Sequence, residues 1–347
     1  MYGRRSSGVL GALLFFISLL YGMSVRLRSR AYGWGLLRTK SLPLPVISVG
    51  NITLGGTGKT PAAVNVVGIL LKHGRKPVVL SRGYGRSDRS AVLVVSDGIS
   101  KVLDPVTGGD EPVLIARRHP QVPVVVGADR HRSGTVAIEH FHPDIAILDD
   151  GFQHIRLKRD LNIVLIDAVD PFGSGRLFPA GILREPLTAL RRADIVLITR
   201  ADRAENIVQL EETVGRCTDA RIFTARYSPR DVINVTTGET RPLDFLRGKP
   251  VFAFAGIARP DSFFSLLGTL GADVSGSAVF PDHYSYTRSD LAGLRRQAGE
   301  RNSALLATTE KDGVKIKEMA SEGIWAVRID LEVVESSAWE ETLLNAL

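Results

Sequence analysis

Residues 45–61 read PVISVGNITLGGTGKTP, a short apolar run, a glycine-rich turn and then a Lys-Thr pair opening an amphipathic segment. That order suits a cradle for phosphate. Gly55, Gly56 and Gly58, with Leu54 before them and Thr57 among them, let backbone N–H groups converge on an anion. A helix opening at Lys59 favours negative charge, Lys59 reaches β and γ oxygens, and Thr60 is placed to ligate magnesium. Pro61 suits a first helical turn. The pattern G-x-x-x-x-G-K-[ST] asks for glycine at position 53, where this chain has Thr53. A second feature agrees with the first: ILDDGFQH sets Asp149 and Asp150 at the end of an apolar run, where P-loop enzymes hold magnesium through an aspartate. Either carboxylate alone would read as the start of a turn before Gly151. Two adjacent ones after a buried strand point to a site.

The elements that must position these residues follow an α/β pattern. From Pro45 on, β-branched runs alternate with helical segments, which predicts a P-loop NTPase-like parallel sheet with helices on both faces. Strands are expected at 45–50, 76–81, 122–127, 144–150, 161–167 and 194–200, and helices from Lys59 to about His73, after Ala128 and after Asp202. Several of the strands are continuously apolar, as strands covered on both faces should be. The stretch VINVTTGETRPLDF reads as a hairpin, so residues 229–248 are expected to link a P-loop kinase domain (31–228) to a smaller C-terminal α/β domain (249–347). In that second unit strands are expected at 250–257, 304–310 and 323–331, with a helix near 261–270.

Of 44 basic residues, Arg4, Arg5, Arg26, Arg28, Arg30, Arg38 and Lys40 lie in the first forty positions, which hold no Asp or Glu. The remaining 37 basic residues equal the 37 acidic ones, so the net charge of +7 is an N-terminal property and does not indicate nucleic acid. Beside it runs an uncharged segment from Gly8 to Val25, flanked by Tyr2, Tyr21, Tyr32 and Trp34. Residues 1–30 are therefore expected to form a membrane-anchoring helix, since polybasic segments are drawn to anionic membrane surfaces and aromatic rings to the interface. A cleaved signal peptide would end in a small-residue site, and arginines follow the run here. The single Cys217 can form no internal disulfide. Nothing points to an obligate protein partner.

In combination, GNITLGGTGKTP, SRGYGR, GGDEPVLIARR, GADR, LDDGFQH, FGSGRLFPAGILREP and FPDHYSYT resemble the motifs of the tetraacyldisaccharide 4'-kinase family over nearly the whole chain. The resemblance implies ATP and Mg2+ as cofactors. It implies transfer of the γ-phosphate to the 4' hydroxyl of a tetraacylated glucosamine disaccharide 1-phosphate, a lipid of lipid A biosynthesis, at the cytoplasmic side of a bacterial inner membrane. It also assigns Asp110 as catalytic base with His283 as its partner. Lys59 and Thr60 fall in the nucleotide loop, Asp149 and Asp150 at the metal, Arg130, Arg184 and Glu185 around phosphates and metal, and Tyr84 near the nucleotide.

The residues themselves leave alternatives open. Asp110 is also a fit helix cap for EPVLIARR, Glu185 with Pro186 a fit helix start, and His283 a surface loop histidine. The rival function is a regulatory P-loop ATPase or GTPase at the membrane. It draws on LITRAD, where Thr199 stands in place of the Asn that begins the guanine-reading motif and Arg200 in place of its lysine.

Overall fold

The computed structural model describes residues 8–88, 90–303, 305–320 and 323–346. Tyr2, Arg4 and Arg5 lie outside them. The elements in chain order begin with α1 (Val9–Gly33), β1 (Val46–Asn51), α2 (Lys59–Lys72), β2 (Pro77–Ser81), β3 (Leu93–Asp97), α3 (Pro105–Gly108), α4 (Asp110–Arg118), β4 (Pro123–Val126), α5 (Arg130–Phe141) and β5 (Ile145–Asp149). There follow β6 (Leu161–Asp167), β7 (Ile195–Thr199), α6 (Ile207–Gly215), β8 (Arg221–Asn234), β9 (Thr240–Arg241), β10 (Pro250–Ala255), α7 (Pro260–Thr269) and β11 (Asp273–Val279). The last are α8 (Arg288–Glu300), β12 (Leu305–Thr309), α9 (Glu310–Ile316), β13 (Ile324–Val333) and α10 (Ser336–Asn345).

Among the described residues these strands make one sheet in the order β11-β10-β12-β13-β8-β7-β6-β1-β5-β2-β4-β3, with β9 paired to β8 at its side. From β2 to β7 the pairings are parallel, and every residue of β1, β5, β6 and β7 is buried. That burial on both faces is why these strands read as unbroken apolar runs. One core lies where α2, α4 and α10 cover the sheet, around Val66, Leu70, Ile115 and Trp339. Another lies across the sheet around Phe152, Ile166, Leu190 and Leu210.

The sheet does not break at the segment expected to link the two units. Instead β8 runs on for 14 residues. Its first residues pair parallel with β7, and from Ala225 it pairs antiparallel with β13. The turn at 235–239 and β9 then follow. The strand escapes a simple pattern reading because its burial is patchy rather than continuous or strictly alternating.

Helix α1 spans 25 residues, roughly 37 Å at 1.5 Å per residue, against a hydrocarbon core of about 30 Å. Most of its apolar side chains are exposed, Leu13, Phe16, Leu20 and Met23 among them. One narrow stripe is not. Ser18 Oγ donates to the Leu177 carbonyl at 2.8 Å, Tyr21 Oη to the Arg184 carbonyl at 2.9 Å, and Arg28 Nη2 to the Gln153 carbonyl at 3.0 Å. At Gly22 a Cβ would lie 2.6 Å from Leu177 Cδ1, so glycine permits this close approach.

The C-terminal helix closes the first core. Trp339 is 1% exposed, meets Phe223 edge-on at 5.3 Å and donates Nε1–H to Asn65 Oδ1 at 3.0 Å. Trp339→Ala removes that packing and leaves the Asn65 acceptor unpaired, so we expect a loss of about 3–5 kcal/mol, read as a lower midpoint in thermal or denaturant unfolding of the detergent-solubilised protein.

Candidate active site

The loop between β1 and α2 is anchored from three sides. Leu54 N donates to the Ile182 carbonyl and Arg184 N to the Ile52 carbonyl, both at 2.7 Å, so the 182–184 segment runs beside the loop as a short strap. Thr53 pairs with Leu183 in this bridge and has no left-handed backbone, which is why a side chain is tolerated where the motif asks for glycine. Asn51 Nδ2 donates to Thr57 Oγ1 at 2.7 Å, and Thr199 Oγ1 donates to the Thr57 carbonyl at 3.1 Å. Gly58 has φ +88°, and a Cβ there would fall 1.8 Å from Tyr227 Oη. Only glycine meets both demands. Lys59 and Thr60 then open α2.

A cleft of about 1200 Å³ starts at this loop and extends to the C-terminal unit. Gly55 to Thr60, Tyr84, Glu111, Asp149, Asp150, Arg184, His283 and Lys311 all line it.

The two aspartates at the end of β5 have separate environments. Asp150, with φ +51°, accepts both contacts of Arg184 Nη1 (3.0 and 2.9 Å) and lies 3.8 Å from Lys59 Nζ. Burial opposes its charge, but Lys59 and Arg184 outweigh it and hold the carboxyl below its usual range. Asp149 is 4% exposed and accepts a hydrogen bond from Ser81 Oγ at 3.1 Å. Burial, then the negative charges of Asp150 and Glu111, push its carboxyl up to about 7. A buried carboxylate in that state asks for a cation.

Asp110 begins α4, and its side chain does not cap the helix: Gly109 is the N-cap, without a side-chain bond. Asp110 Oδ2 instead lies 3.2 Å from His283 Nδ1 and 3.6 Å from Lys315 Nζ, both from the C-terminal unit. Burial works against the charge, yet His283, Lys315 and Lys311 keep the carboxyl below its ordinary value. Tyr84, largely exposed, faces the His283 ring edge-on at 6.2 Å.

Two of the expected residues stand apart from this cluster. Glu185 is buried with Oε2 accepting from Arg192 Nη2 at 2.7 Å, and it does not line the cleft. Arg130 lies behind the aspartates, donating to the Gly127 and Ala128 carbonyls at 3.2 and 3.3 Å, with burial and then Arg82 pulling its guanidinium down to about 10. It feels both aspartates through charge alone. Sequence reasoning passed over Ser81, Glu111, Tyr227, Lys311 and Lys315. The lysines stand four apart in TEKDGVK just after a buried strand, a spacing that places them on one helix face. The rival guanine-reading motif is otherwise engaged: Thr199 braces the nucleotide loop, and Arg200 is paired with buried Asp167.

For magnesium, no group of three or more His, Cys, Asp or Glu among the described residues forms a self-sufficient cage. Asp149 with Thr60 fits an ion that keeps waters and takes phosphate oxygens as further ligands, the usual habit of Mg2+.

The family profile described as tetraacyldisaccharide-1-P 4'-kinase matches residues 10–347. A tetraacyldisaccharide 4'-kinase of Syntrophus aciditrophicus is 41% identical over 355 residues, covering 99% of this chain and 95% of the relative. One from Geobacter sulfurreducens is 44% identical over 308 residues, covering 89% and 85%. The crystal structure of LpxK from Aquifex aeolicus in complex with ATP superposes with a TM-score of 0.81 at 33% identity, covering 97% of this chain and 99% of that one.

The Asp149 environment has a pH signature. Its folded value of about 7 lies above an unfolded value near 3.9, so between those pH values the folded chain holds a proton that the unfolded chain has lost. That contribution to stability is full below about pH 4 and is lost as pH rises through 7. In EDTA, Asp149→Asn should therefore gain thermal stability relative to the parent on going from pH 4 to pH 8. A difference between the two midpoints that stays flat over this range would refute the assignment.

Proposed function

This chain belongs to the tetraacyldisaccharide 4'-kinase family, a phosphotransferase of lipid A biosynthesis, and from that premise we propose which of its residues carry the transfer from ATP and where the reaction takes place. Asp110 takes the proton of the 4' hydroxyl. The freed oxygen attacks the γ-phosphorus, and the bond to the bridging oxygen breaks with its electron pair leaving on ADP. Lys59 and Arg184 offset charge on the phosphates, with the backbone N–H groups of residues 55–60 as the cradle. Thr60 and Asp149 would hold Mg2+, which when bound draws charge from the phosphate oxygens. Asp150 orients Lys59 and Arg184. Glu185 and Arg130 support the strap and the aspartates from behind. Residues 31–228 and 249–347 act as the two jaws of the cleft.

The observation that carries this reading is the contact of Asp110 with His283, 3.2 Å apart on opposite jaws, with His283 lining the cleft that starts at the nucleotide loop. Phosphoryl transfer needs positioning and charge stabilisation more than covalent help, so a base held by two separate units is a natural place to make chemistry depend on both. The test is transfer of labelled phosphate from ATP to the lipid acceptor. Lys59→Ala should lower turnover by a factor on the order of hundreds while the unfolding midpoint is retained. Asp110→Ala and His283→Ala should each depress kcat more than they raise KM for ATP, and the double variant should be little worse than the poorer single, the mark of groups acting as a unit. Strictly multiplicative losses would count against the pair.

We also place the site at the cytoplasmic face of the inner membrane, where ATP is available and acyl chains hold the acceptor. The exposed apolar face of α1 and the basic residues Arg26, Arg28, Arg30, Arg38 and Lys40 beside it support this. Replacing Leu13, Phe16 and Leu20 together by Asp should release the chain from vesicles containing phosphatidylglycerol at high salt. Full retention on the vesicles would argue for a different attachment surface.

A further inference from the structure

The imidazole of His283 is contacted at both nitrogens. Nδ1 lies 3.2 Å from Asp110 Oδ2, and Nε2 lies 3.1 Å from Lys311 Nζ. An ammonium has three donors and no lone pair, so the ring nitrogen facing it must be the acceptor. Burial disfavours the charge on Lys311, but Glu111, Asp282 and Asp110 more than compensate and hold its pKa above the ordinary value, so the ammonium persists. A proton on Nε2 would need an acceptor. The nearest is Glu111 Oε1 at 3.5 Å, and Lys311 already occupies that oxygen at 3.3 Å. The ring proton therefore belongs on Nδ1, pointing at Asp110.

We propose that Lys311 is a positioning residue for the phosphoryl transfer: it fixes the tautomer of His283, so that Nδ1–H is aimed at Asp110 Oδ2 and Oδ1 is left for the acceptor hydroxyl. The inference rests on the reading of Asp110 as base.

The surroundings are built for such a role. Lys311 is the second residue of α9, whose start is fixed by Thr309 Oγ1 accepting from Asp312 N at 3.1 Å. The fully buried Asp312 accepts from Gly256 N at 2.9 Å and contacts Lys315 Nζ at 3.3 Å, which ties α9 to the end of β10. Four residues on, Lys315 reaches the same Asp110 oxygen that His283 does. Around the ring stand Asp110 and Glu111 from α4, Lys311 from α9 and the Tyr84 ring, while Asp282 accepts from the His283 backbone N–H at 3.0 Å and lies 3.4 Å from Lys311 Nζ. A free imidazole between two carboxylates could turn its proton toward either. Lys311 removes that choice by occupying Nε2 and by neutralising Glu111 and Asp282.

The experiment uses the full chain in detergent micelles, labelled with 15N-histidine, with the His283 signals identified by their loss in His283→Gln. In the parent protein the neutral ring should show a protonated Nδ1 and an unprotonated Nε2. In Lys311→Met a population protonated at Nε2 should appear, and kcat should fall by roughly 10- to 100-fold, the usual effect of losing a group that orients a reacting one. KM for ATP should stay within about twofold, since the contacts removed are to His283, Glu111 and Asp282 and not to the phosphate loop. Lys311→Arg, which keeps a charged donor, should restore the parent tautomer and most of the turnover.

A parent ring protonated at Nε2 overturns the proposal without any variant. So does Lys311→Met with the parent tautomer unchanged, or with parent kcat. Failure of the base assignment looks different: Asp110→Asn would turn over normally while the ring spectra continued to report Lys311.

Discussion

Repulsion between two neighbouring carboxylates organises the cleft. Asp149 and Asp150 lie at the end of a buried strand, where two like charges are costly unless each finds its own compensation. The chain separates them by turning through a left-handed residue at Asp150, which swings that carboxylate toward Arg184 and Lys59. Asp149 stays behind, accepting a hydrogen bond from Ser81 Oγ. This division gives the loop lysine a fixed bearing. It also leaves Asp149 a buried carboxyl whose charge is opposed by burial and by its neighbour. Lys59, for its part, is pulled down by burial and held up chiefly by Asp150, so the cation and the anion each owe their charged state to the other.

The second requirement is that residues from the far half of the chain be held against this loop. Two devices do so. The continuous strand β8 belongs to both halves of the sheet, with no flexible break between its parallel and antiparallel stretches. Helices α4 and α9 then pack side by side and are pinned at both ends. At the C-terminal end of α4, Arg118 is bidentate to Glu310 at 2.6 and 2.9 Å and also reaches Asp330 at 2.8 Å. At its N-terminal end Asp110 and Glu111 meet His283, Lys311 and Lys315. Fork-shaped pairs of this kind impose direction as well as attraction, so the Arg118 contacts fix how α4 meets α9 and β13.

What the sequence made legible was what is local. The phosphate loop and the paired aspartates lie within a few residues of a strand that is buried on both faces, and such strands announce themselves as apolar runs. Nothing comparable marks His283. Its neighbours in sequence are solvent-like, and its partner is 173 residues away. The resemblance supplied that pair, and the geometry places it. Lys311 and Lys315 were invisible for a related reason: two lysines on a short helix ordinarily read as a solvated face. Arg130 and Glu185 were legible as important and less so as to role, because burial in partner networks is decided by packing that no motif records. The patchy burial of β8 hid the strand that joins the halves.

Helix α1 is joined to the nucleotide loop by one short piece of chain. Leu177, Phe178 and Arg184 receive α1: Ser18 and Tyr21 bond to carbonyls at 177 and 184, and Tyr21 meets Phe178 edge-on at 6.1 Å. The same segment gives the Ile182 carbonyl to Leu54 N and takes the Ile52 carbonyl with Arg184 N. The Arg184 side chain then ends on Asp150. Thus the backbone that accepts α1 on one face sets the phosphate loop on the other, across one short folded segment. The strap ties the phosphate cradle directly to α1, so the spacing between the two does not depend on a chain of looser contacts.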